Sequence, residues 1–248
     1  MRPPRILSIA GSDSGGGAGI QADIKTITML GGYAMTAICA LTAQDTTGVH
    51  AVQAVDPAMV AAQIDACVND LGVDAVKIGM LASPAIADVV ANRLESLAVP
   101  VVFDPVMVST SGVALADATT IAAFERLMAL ATLTTPNVPE LQALGGEGAM
   151  RARGIAWLAK GGDAEGPEVI DRLVLADGTE RTWNAPRIAT RHTHGTGCTM
   201  SSAIATLLGM GLPLDEAVED AREFVRAALL AAPGFGAGSG PMGHQAVR

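Results

Sequence analysis

The sequence contains few aromatic residues and few cysteines. Aromatic residues make up 3% of its 248 residues, so a core must be built from Ala, Val, Leu, Ile and Met. The three cysteines, Cys39, Cys67 and Cys198, form no C-x-x-C pair and give an odd count. This usage argues against a disulfide framework and predicts a reducing compartment, which we take to be the cytoplasm.

Basic residues and long apolar runs are also scarce. Sixteen Lys and Arg residues against 25 Asp and Glu residues give a formal net charge of −9, which excludes a basic stripe for a nucleic-acid backbone. No apolar run approaches the length of a membrane span, and the apolar stretch after Arg5 is too short for a signal peptide. We therefore expect no nucleic-acid or membrane partner. An acidic surface also repels free ATP unless a divalent cation and backbone N–H groups supply the attraction.

Linkers and internal repeats are missing as well. Half of the residues are hydrophobic, and no Pro-, Gly- or Ser-rich segment divides the chain. The glycine-rich stretch 234–243 comes too late to separate two domains. Because a chain of this length and composition can bury a sizeable core, we predict a single domain over residues 1–248.

Short apolar runs rich in Val and Ile alternate with longer helical patterns along the chain. Continuous hydrophobicity within a run is typical of parallel strands that helices cover on both faces. Asp177-Gly178 joins two further short runs and predicts an antiparallel hairpin at the sheet edge. The alternation predicts an α/β fold with a mostly parallel central sheet. The predicted strands are 5–10, 34–41, 73–78, 99–103, 133–135, 155–159, 172–176 and 179–183, and the predicted helices are 18–30, 57–71, 84–97, 117–130, 138–144, 197–210 and 214–230.

A thiol and two glycines lie together at the start of a predicted helix, in the segment His194-Gly195-Thr196-Gly197-Cys198. Helix N-termini present unpaired N–H groups and a partial positive charge, and glycine lets an anion approach the backbone. The same field lowers the pKa of a cysteine. We expect Cys198 to act either as a base toward a substrate hydroxyl or as a nucleophile on a carbonyl, and a buried structural cysteine is the alternative.

Cys-His and zinc chemistry fit this segment less well. His194 is the one close partner for the thiol, but it lies four residues before Cys198 and reaches it only if the loop folds back. One cysteine and two histidines have no further ligand pair at zinc spacing. The segment therefore favours anion handling.

Polar residues follow the predicted strands, at the sheet edge where parallel α/β proteins bind ligands. The loop 11–19 is rich in glycine but has neither dinucleotide nor Walker spacing, and Asp23 follows one turn into the next helix. The amide of Gln44 suits the edge of an aminopyrimidine or amide-like ring. Carboxylates of Asp104 and Glu140 suit Mg²⁺, and Lys160 suits a phosphate. Each feature also has a plain alternative: a tight turn, a solvated side chain or a helix cap.

Seven motifs in order carry a resemblance to a known family. They are AGSDSGGGAGIQADIKT at 10–26, TAQDT at 42–46, KIGML at 77–81, DPVMV at 104–108, PNVPE at 136–140, KGG at 160–162 and HGTGCT at 194–199. With these motifs over nearly its full length, the chain resembles the hydroxymethylpyrimidine and phosphomethylpyrimidine kinases of thiamine biosynthesis.

The resemblance implies a three-layer αβα ribokinase-like fold, a homodimer, and MgATP-dependent phosphorylation of 4-amino-5-hydroxymethyl-2-methylpyrimidine and then of its monophosphate. It implies that Cys198 is the base near the hydroxymethyl oxygen and that the anion hole consists of Gly195, Thr196 and Gly197. It also implies that Gln44 binds the pyrimidine edge, in a pocket lined by Asp23, Gly11, Met80 and Val106. Asp104 and Glu140 would lie near Mg²⁺, and Lys160 near the ATP phosphates.

Two departures from the family pattern fall on the nucleotide side. The segment between PNVPE and KGG is shorter than usual, and Asp163 stands where the family tends to have histidine. Three alternatives stay open at this point. They are a vitamin kinase that acts on pyridoxal, a non-catalytic pyrimidine-binding protein of the same fold, and a thiol acyltransferase or hydrolase that uses Cys198 without ATP.

Overall fold

A computed structural model describes residues 2–109 and 112–247 and contains a nine-stranded sheet. The strands are β1 Arg5–Asp13, β2 Tyr33–Gln44, β3 Val49–Ala54, β4 Ala75–Ile78, β5 Val101–Phe103, β6 Leu133–Thr134, β7 Trp157–Ala159, β8 Glu168–Val174 and β9 Glu180–Pro186. Their order is β3-β2-β1-β4-β5-β6-β7-β8-β9. The six strands from β2 to β7 in this order are parallel, and β3, β8 and β9 pair antiparallel at the two edges.

Helices cover both faces of this sheet. They are α1 Gly19–Met29, α2 Pro57–Ala66, α3 Pro84–Leu94, α4 Ala118–Leu130, α5 Val138–Ala143, α6 Gly146–Arg153, α7 Thr196–Gly209 and α8 Leu214–Leu230. α7 packs between α1 and α8 on one face, and α3 packs between α2 and α4 on the other. The three-layer αβα prediction is therefore confirmed. No helix of the described residues has the length and apolarity of a membrane span.

Side-chain alternation along the central strands builds two separate cores. On β1, Leu7 and Ile9 belong to the core under α2, α3 and α4, whereas Ile6 belongs to the core under α1, α7 and α8. On β4, Val76 and Ile78 face the first core, so Lys77 points to the α1 and α7 face because successive strand residues alternate sides.

Most predicted elements are confirmed, and the differences have local causes. The hairpin at Asp177-Gly178 joins β8 and β9 as predicted. β3 was not predicted, because the side chains of this edge strand are nearly all exposed and form no apolar run. α6 was not predicted either, because it starts after Gly145 in the left-handed region and contains two glycines of its own. β1 and β2 both run further than predicted, to Asp13 and Gln44.

The segment after α8 folds back over the loops at the carboxyl ends of the strands. Gly240 accepts a hydrogen bond from the backbone N–H of His194 at 3.2 Å, and Pro241 pairs with the same residue as an isolated parallel bridge. The N–H of Gly238 donates to Thr46 Oγ1 at 3.2 Å. The glycine-rich stretch 234–243 is therefore a packing element, since close approach to other backbone requires residues without a side chain.

Candidate active site

A cavity of about 780 Å³ lies at the carboxyl ends of the parallel strands. Its position follows the general rule for α/β sheets, because β1, β4, β5 and β7 each deliver polar or glycine residues to the same edge. Eleven of the predicted site residues line it: Gly11, Gln44, Met80, Asp104, Val106, Glu140, Lys160, Gly195, Thr196, Gly197 and Cys198.

Two glycine-rich loops meet at the centre of this cavity. Gly195 has a φ of +85°, and a Cβ atom there would lie well inside 3.0 Å of the Gly17 carbonyl oxygen. A side chain at Gly17 would in turn strike the ring of His194. Only glycine at both positions lets the loop after β1 contact the loop before α7. This contact fixes where the N-terminus of α7 begins.

The first turn of α7 lies against the ammonium group of Lys160. Gly195 is the N-cap of α7, and Thr196 and Gly197 are its first two residues, whose N–H groups have no partner within the helix. A Cβ on Gly197 would lie 3.2 Å from Lys160 Nζ and 3.5 Å from Asp104 Oδ2. The N–H of Thr196 donates to the Thr193 carbonyl at 3.3 Å, outside the helix. The start of α7 and the lysine therefore converge on one place, which suits an anionic group.

Lys160 and two carboxylates form a buried charge cluster beside that turn. Lys160 Nζ lies 2.6 Å from Asp104 Oδ1 and 4.0 Å from Glu140 Oε2. Asp104 also accepts from Thr135 Oγ1 at 3.2 Å and from Ser201 Oγ at 3.4 Å. Although burial opposes the charge of Lys160, Asp104 and Glu140 raise its pKa above the usual value, so the lysine stays charged.

Glu140 combines a helix-capping role with an incompletely neutralised charge. Its carboxylate accepts from the Asn137 N–H, and the Asn137 side chain accepts from the Glu140 N–H, which forms a capping box at the start of α5. Burial raises the pKa of Glu140 to about 7, against the opposing effect of Lys160. A cation beside Glu140 would stabilise the ionised form.

The donor set fits Mg²⁺ shared with phosphates better than a closed metal site. Mg²⁺ is usually held by one or two carboxylates together with substrate phosphates and water, and Asp104 and Glu140 offer two carboxylates at one edge of the cavity. Among residues 2–109 and 112–247, no group of three His, Cys, Asp or Glu side chains is gathered to hold a metal. The His194 ring, which a zinc site would need beside Cys198, lies 3.0 Å from Asp13 Oδ2 instead.

Cys198 departs from the expectation of a lowered pKa. Burial raises the pKa of its thiol to about 11, and Asp23 and Asp104 act in the same direction. Lys77 and a hydrogen bond from the Gly19 backbone favour the thiolate but do not outweigh these effects. The helix N-terminus was visible in the sequence, whereas the two nearby carboxylates and the enclosure were not. A protonated thiol also makes the acyltransferase and hydrolase alternative less suitable.

Asp23 does not line the cavity, contrary to the expectation for the pyrimidine pocket. Its carboxylate is fully buried beneath the cavity, where it accepts from Lys77 Nζ at 2.8 and 2.9 Å. Ser8 Oγ and Ser202 Oγ also donate to it, at 2.5 and 2.6 Å. Asp23 therefore acts on the site through Lys77, which does line the cavity. A lysine inside the apolar run 73–78 was the signal for this pair, and the sequence analysis passed over it.

The end of the cavity near Gln44, where the resemblance implies the pyrimidine, has an apolar floor and a polar rim. A Cβ on Gly11 would lie 2.9 Å from Met80 Sδ, so the glycine lets Met80 close the floor, and Val106 completes the apolar lining. At the rim, Gln44 Nε2 lies 3.2 Å from His194 Nε2, which lies 3.0 Å from Asp13 Oδ2. The loop does fold back, but the His194 ring reaches Asp13 and Gln44.

Comparison with known sequences identifies a family. Residues 13–243 match the family described as phosphomethylpyrimidine kinase. The chain belongs to this family. It is 46% identical over 255 residues to the hydroxymethylpyrimidine/phosphomethylpyrimidine kinase of Rhizobium meliloti, covering 96% of both chains. It is 45% identical over 257 residues to the thiamine biosynthesis bifunctional protein ThiED of Geobacter sulfurreducens, covering 96% of this chain but only 52% of that protein.

Solved structures of this family and of pyridoxal kinases share the fold. The ADP complex of Bacillus subtilis pyridoxal kinase has a TM-score of 0.91 and 33% identity, over 100% of this chain and 99% of that chain. The phosphomethylpyrimidine kinase of Clostridium difficile 630 has a TM-score of 0.76 and 36% identity, over 90% and 98%. The fold is therefore ribokinase-like. Complexes with ADP and AMP-PCP among these neighbours support the use of ATP.

Proposed function

We propose that this protein transfers a phosphoryl group from MgATP to the hydroxymethyl oxygen of 4-amino-5-hydroxymethyl-2-methylpyrimidine and then phosphorylates the monophosphate to the diphosphate. One observation carries the proposal. The segment from His194 to Gly197 connects the Gln44 rim to Lys160. The ring nitrogen Nε2 of His194 lies 3.2 Å from the Gln44 amide, and Lys160 Nζ lies 3.2 Å from the position that a Cβ would take on Gly197. A ring at Gln44 and a triphosphate at Lys160 would therefore meet at the first turn of α7.

Different residues of the cavity have different roles in phosphoryl transfer. Phosphoryl transfer depends chiefly on positioning and on stabilising the charge of the transferred group. The N–H groups of Gly195 and Gly197 hold that group, together with that of Thr196 once it leaves the Thr193 carbonyl, to which it donates at 3.3 Å. Lys160 offsets the charge of the nucleotide phosphates. Asp104 and Glu140 would hold Mg²⁺ beside the phosphates, where it would supply positive charge to offset the charge that develops in transfer.

Cys198 accepts the proton of the substrate hydroxyl in this proposal. This step requires the thiolate, which Lys77 favours against burial, Asp23 and Asp104. The variant Cys198→Ala should keep pyrimidine binding and lose most turnover. Unchanged turnover would remove the role of general base. Gln44→Ala should weaken pyrimidine binding more than ATP binding, and equal losses would remove the contact to the ring edge.

The first experiment is product analysis by mass spectrometry after incubation of the protein with MgATP and the hydroxymethylpyrimidine. A parallel reaction contains pyridoxal, and a third lacks ATP. Monophosphate and diphosphate products that require ATP would support the two-step kinase. Asp104→Asn is the matched inactive variant. It keeps the shape of a side chain that lies 2.6 Å from Lys160 but removes its charge, so it should form little product. No product from either ring would refute the kinase assignment and leave a pyrimidine-binding protein.

Pyridoxal is the second candidate substrate, and the structural comparison is the reason. The Bacillus subtilis pyridoxal kinase superposes over the whole chain with a TM-score of 0.91. The apolar floor of Met80 and Val106 suits either ring. Asp163, which lines the nucleotide side of the cavity and adds a negative charge there, should weaken ATP binding equally for both substrates.

A homodimer in the cytoplasm completes the proposal. The exposed edge strand β3 and the exposed side chains of Leu41 and Val52 support pairing between two copies, because an uncovered strand edge with apolar side chains readily joins another. Light scattering coupled to gel filtration tests this directly. A monomer at micromolar concentration would refute the dimer.

A further inference from the structure

Four polar side chains at the pyrimidine rim form a chain of hydrogen bonds that starts at a carboxylate. Asp13 is 3% exposed, and its two oxygens accept from the backbone N–H groups of Gly15, Gly17 and Ala18 at 2.8 to 2.9 Å. Its Oδ2 also lies 3.0 Å from His194 Nε2. A carboxyl group that receives three N–H donors is ionised and only accepts, so His194 must carry a proton on Nε2 and donate it to Asp13.

This protonation state decides how the neighbouring amide of Gln44 is turned. The Gln44 end placed as Nε2, 3.2 Å from His194 Nε2, must instead be the amide oxygen. The Nε2 proton that points to Asp13 leaves no lone pair for a second donor, whereas an oxygen beside that N–H is attracted to it. The other end of the amide lies 3.3 Å from Thr42 Oγ1, whose single proton already goes to the Ser12 carbonyl at 2.9 Å. That end must therefore donate. Turning an amide by 180° exchanges oxygen and nitrogen in place, so the partners alone determine its orientation.

We infer that Asp13 and His194 are positioning residues that fix the Gln44 amide with its oxygen toward His194 and its NH₂ group toward Thr42, and thereby select an aminopyrimidine edge. In this orientation one N–H and one oxygen lone pair of Gln44, which lines the cavity, remain for a ligand. The N–H matches a ring nitrogen, and the oxygen matches an exocyclic amine beside it. This inference rests on the proposed function.

The fixed order of donor and acceptor also determines which way the ring faces. If the amide turned, the same substrate edge would pair only after the ring had flipped over, which would move its hydroxymethyl group away from Cys198. A pyridoxal ring has no amine beside its ring nitrogen, so it leaves the Gln44 oxygen unpaired. His194 thus favours the aminopyrimidine over pyridoxal, although it need touch neither ring.

Two variants of His194 separate this role from a structural one. His194→Phe keeps a ring of similar size and removes the N–H, so it should raise KM for the pyrimidine about tenfold, the equivalent of one hydrogen bond, and lower the preference for pyrimidine over pyridoxal. His194→Gln carries two N–H groups, for Asp13 and for Gln44, and should restore most of the preference. KM for MgATP should stay unchanged in both variants. His50→Phe is the control, because His50 forms a 2.8 Å pair with Asp45 but is largely exposed.

A measurement without substrate distinguishes failure of this inference from failure of the proposed function. In a sample with ¹⁵N-labelled glutamine side chains, the Gln44 NH₂ protons should show nuclear Overhauser effects to Thr42 and none to the His194 Hε1 proton. Effects to His194 instead would overturn the inference even if the kinase is active. Equal loss of turnover on both substrates in His194→Phe, with an unchanged preference, would also overturn it. If the wild-type enzyme phosphorylated neither ring, the proposed function would fail while the amide orientation stayed measurable.

Discussion

The contact between Gly195 and Gly17 makes Gly195→Ala an informative test of the proposed anion hole. The added Cβ would lie well inside 3.0 Å of the Gly17 carbonyl oxygen, a separation that real Cβ atoms essentially never show. One of the two loops must therefore move by on the order of 1 Å, and a misplacement of that size costs about 100-fold in rate. The positive φ of +85° adds strain of about 1–2 kcal/mol. We expect turnover to fall about 100-fold while the protein stays folded.

Gly31→Ala is the matched control for this prediction. Gly31 has nearly the same φ, +86°, but nothing lies within 4 Å of a Cβ placed there. Urea unfolding should show a loss of about 1–2 kcal/mol from backbone strain in both variants, whereas steady-state kinetics should show lost turnover only in Gly195→Ala. If both variants kept turnover within about threefold of wild type, the meeting of the two loops would not set the geometry of the site.

Three further predictions concern buried titratable groups. With the pKa of Cys198 raised to about 11, iodoacetamide should modify it slowly at pH 8 and about tenfold faster per pH unit until that pKa; rapid modification at pH 8 in peptide mapping would contradict this. Lys77→Met leaves Asp23 as an unpaired buried charge and should lower the free energy of unfolding in urea by about 3–5 kcal/mol. The double variant Lys77→Met with Asp23→Asn should regain most of that loss. A loss under about 1 kcal/mol in Lys77→Met would contradict the pairing of the two charges. Burial lowers the pKa of His244 to about 4. Its contribution to the free energy of unfolding is therefore complete above pH 6.5. As the pH falls from 6.5 toward 4, the unfolded chain binds the proton first, and up to about 3 kcal/mol is lost. His244→Gln should flatten that part of the stability profile, and an unchanged slope would show that another group titrates.

The fold was predictable because its signals are local. Continuous apolar runs identified the parallel strands, and the rule that ligands bind at their carboxyl ends brought residues as distant as Gln44, Asp104 and Lys160 to one cavity before any contact was known. β3 was not predicted because an exposed edge strand has no such run. α6 was not predicted because glycines within and before it weaken the helical pattern.

The site was less predictable where function depends on contacts across the fold. Burial, and then Asp23 and Asp104 from other elements, raise the pKa of Cys198, whereas the helix N-terminus that the sequence shows led us to expect a lowered pKa. Asp13 looked like one polar residue in a glycine-rich loop, yet its carboxylate organises that loop through three backbone N–H groups. Sequence spacing identifies such residues as candidates but cannot say which partner each one meets.

The glycine-rich segment after α8 is synthesised last but holds loops that border the cavity. Gly240 holds the backbone of His194, and His244 Nε2 lies 2.8 Å from Thr199 Oγ1 in the first turns of α7. While a ribosome has released the chain only as far as Leu230, every strand of the sheet can already pair, but these loops lack the contacts that hold them. The loops around the cavity therefore gain these contacts only after residues 238–244 have left the ribosome, so the cavity is among the last parts of the domain to be completed during synthesis.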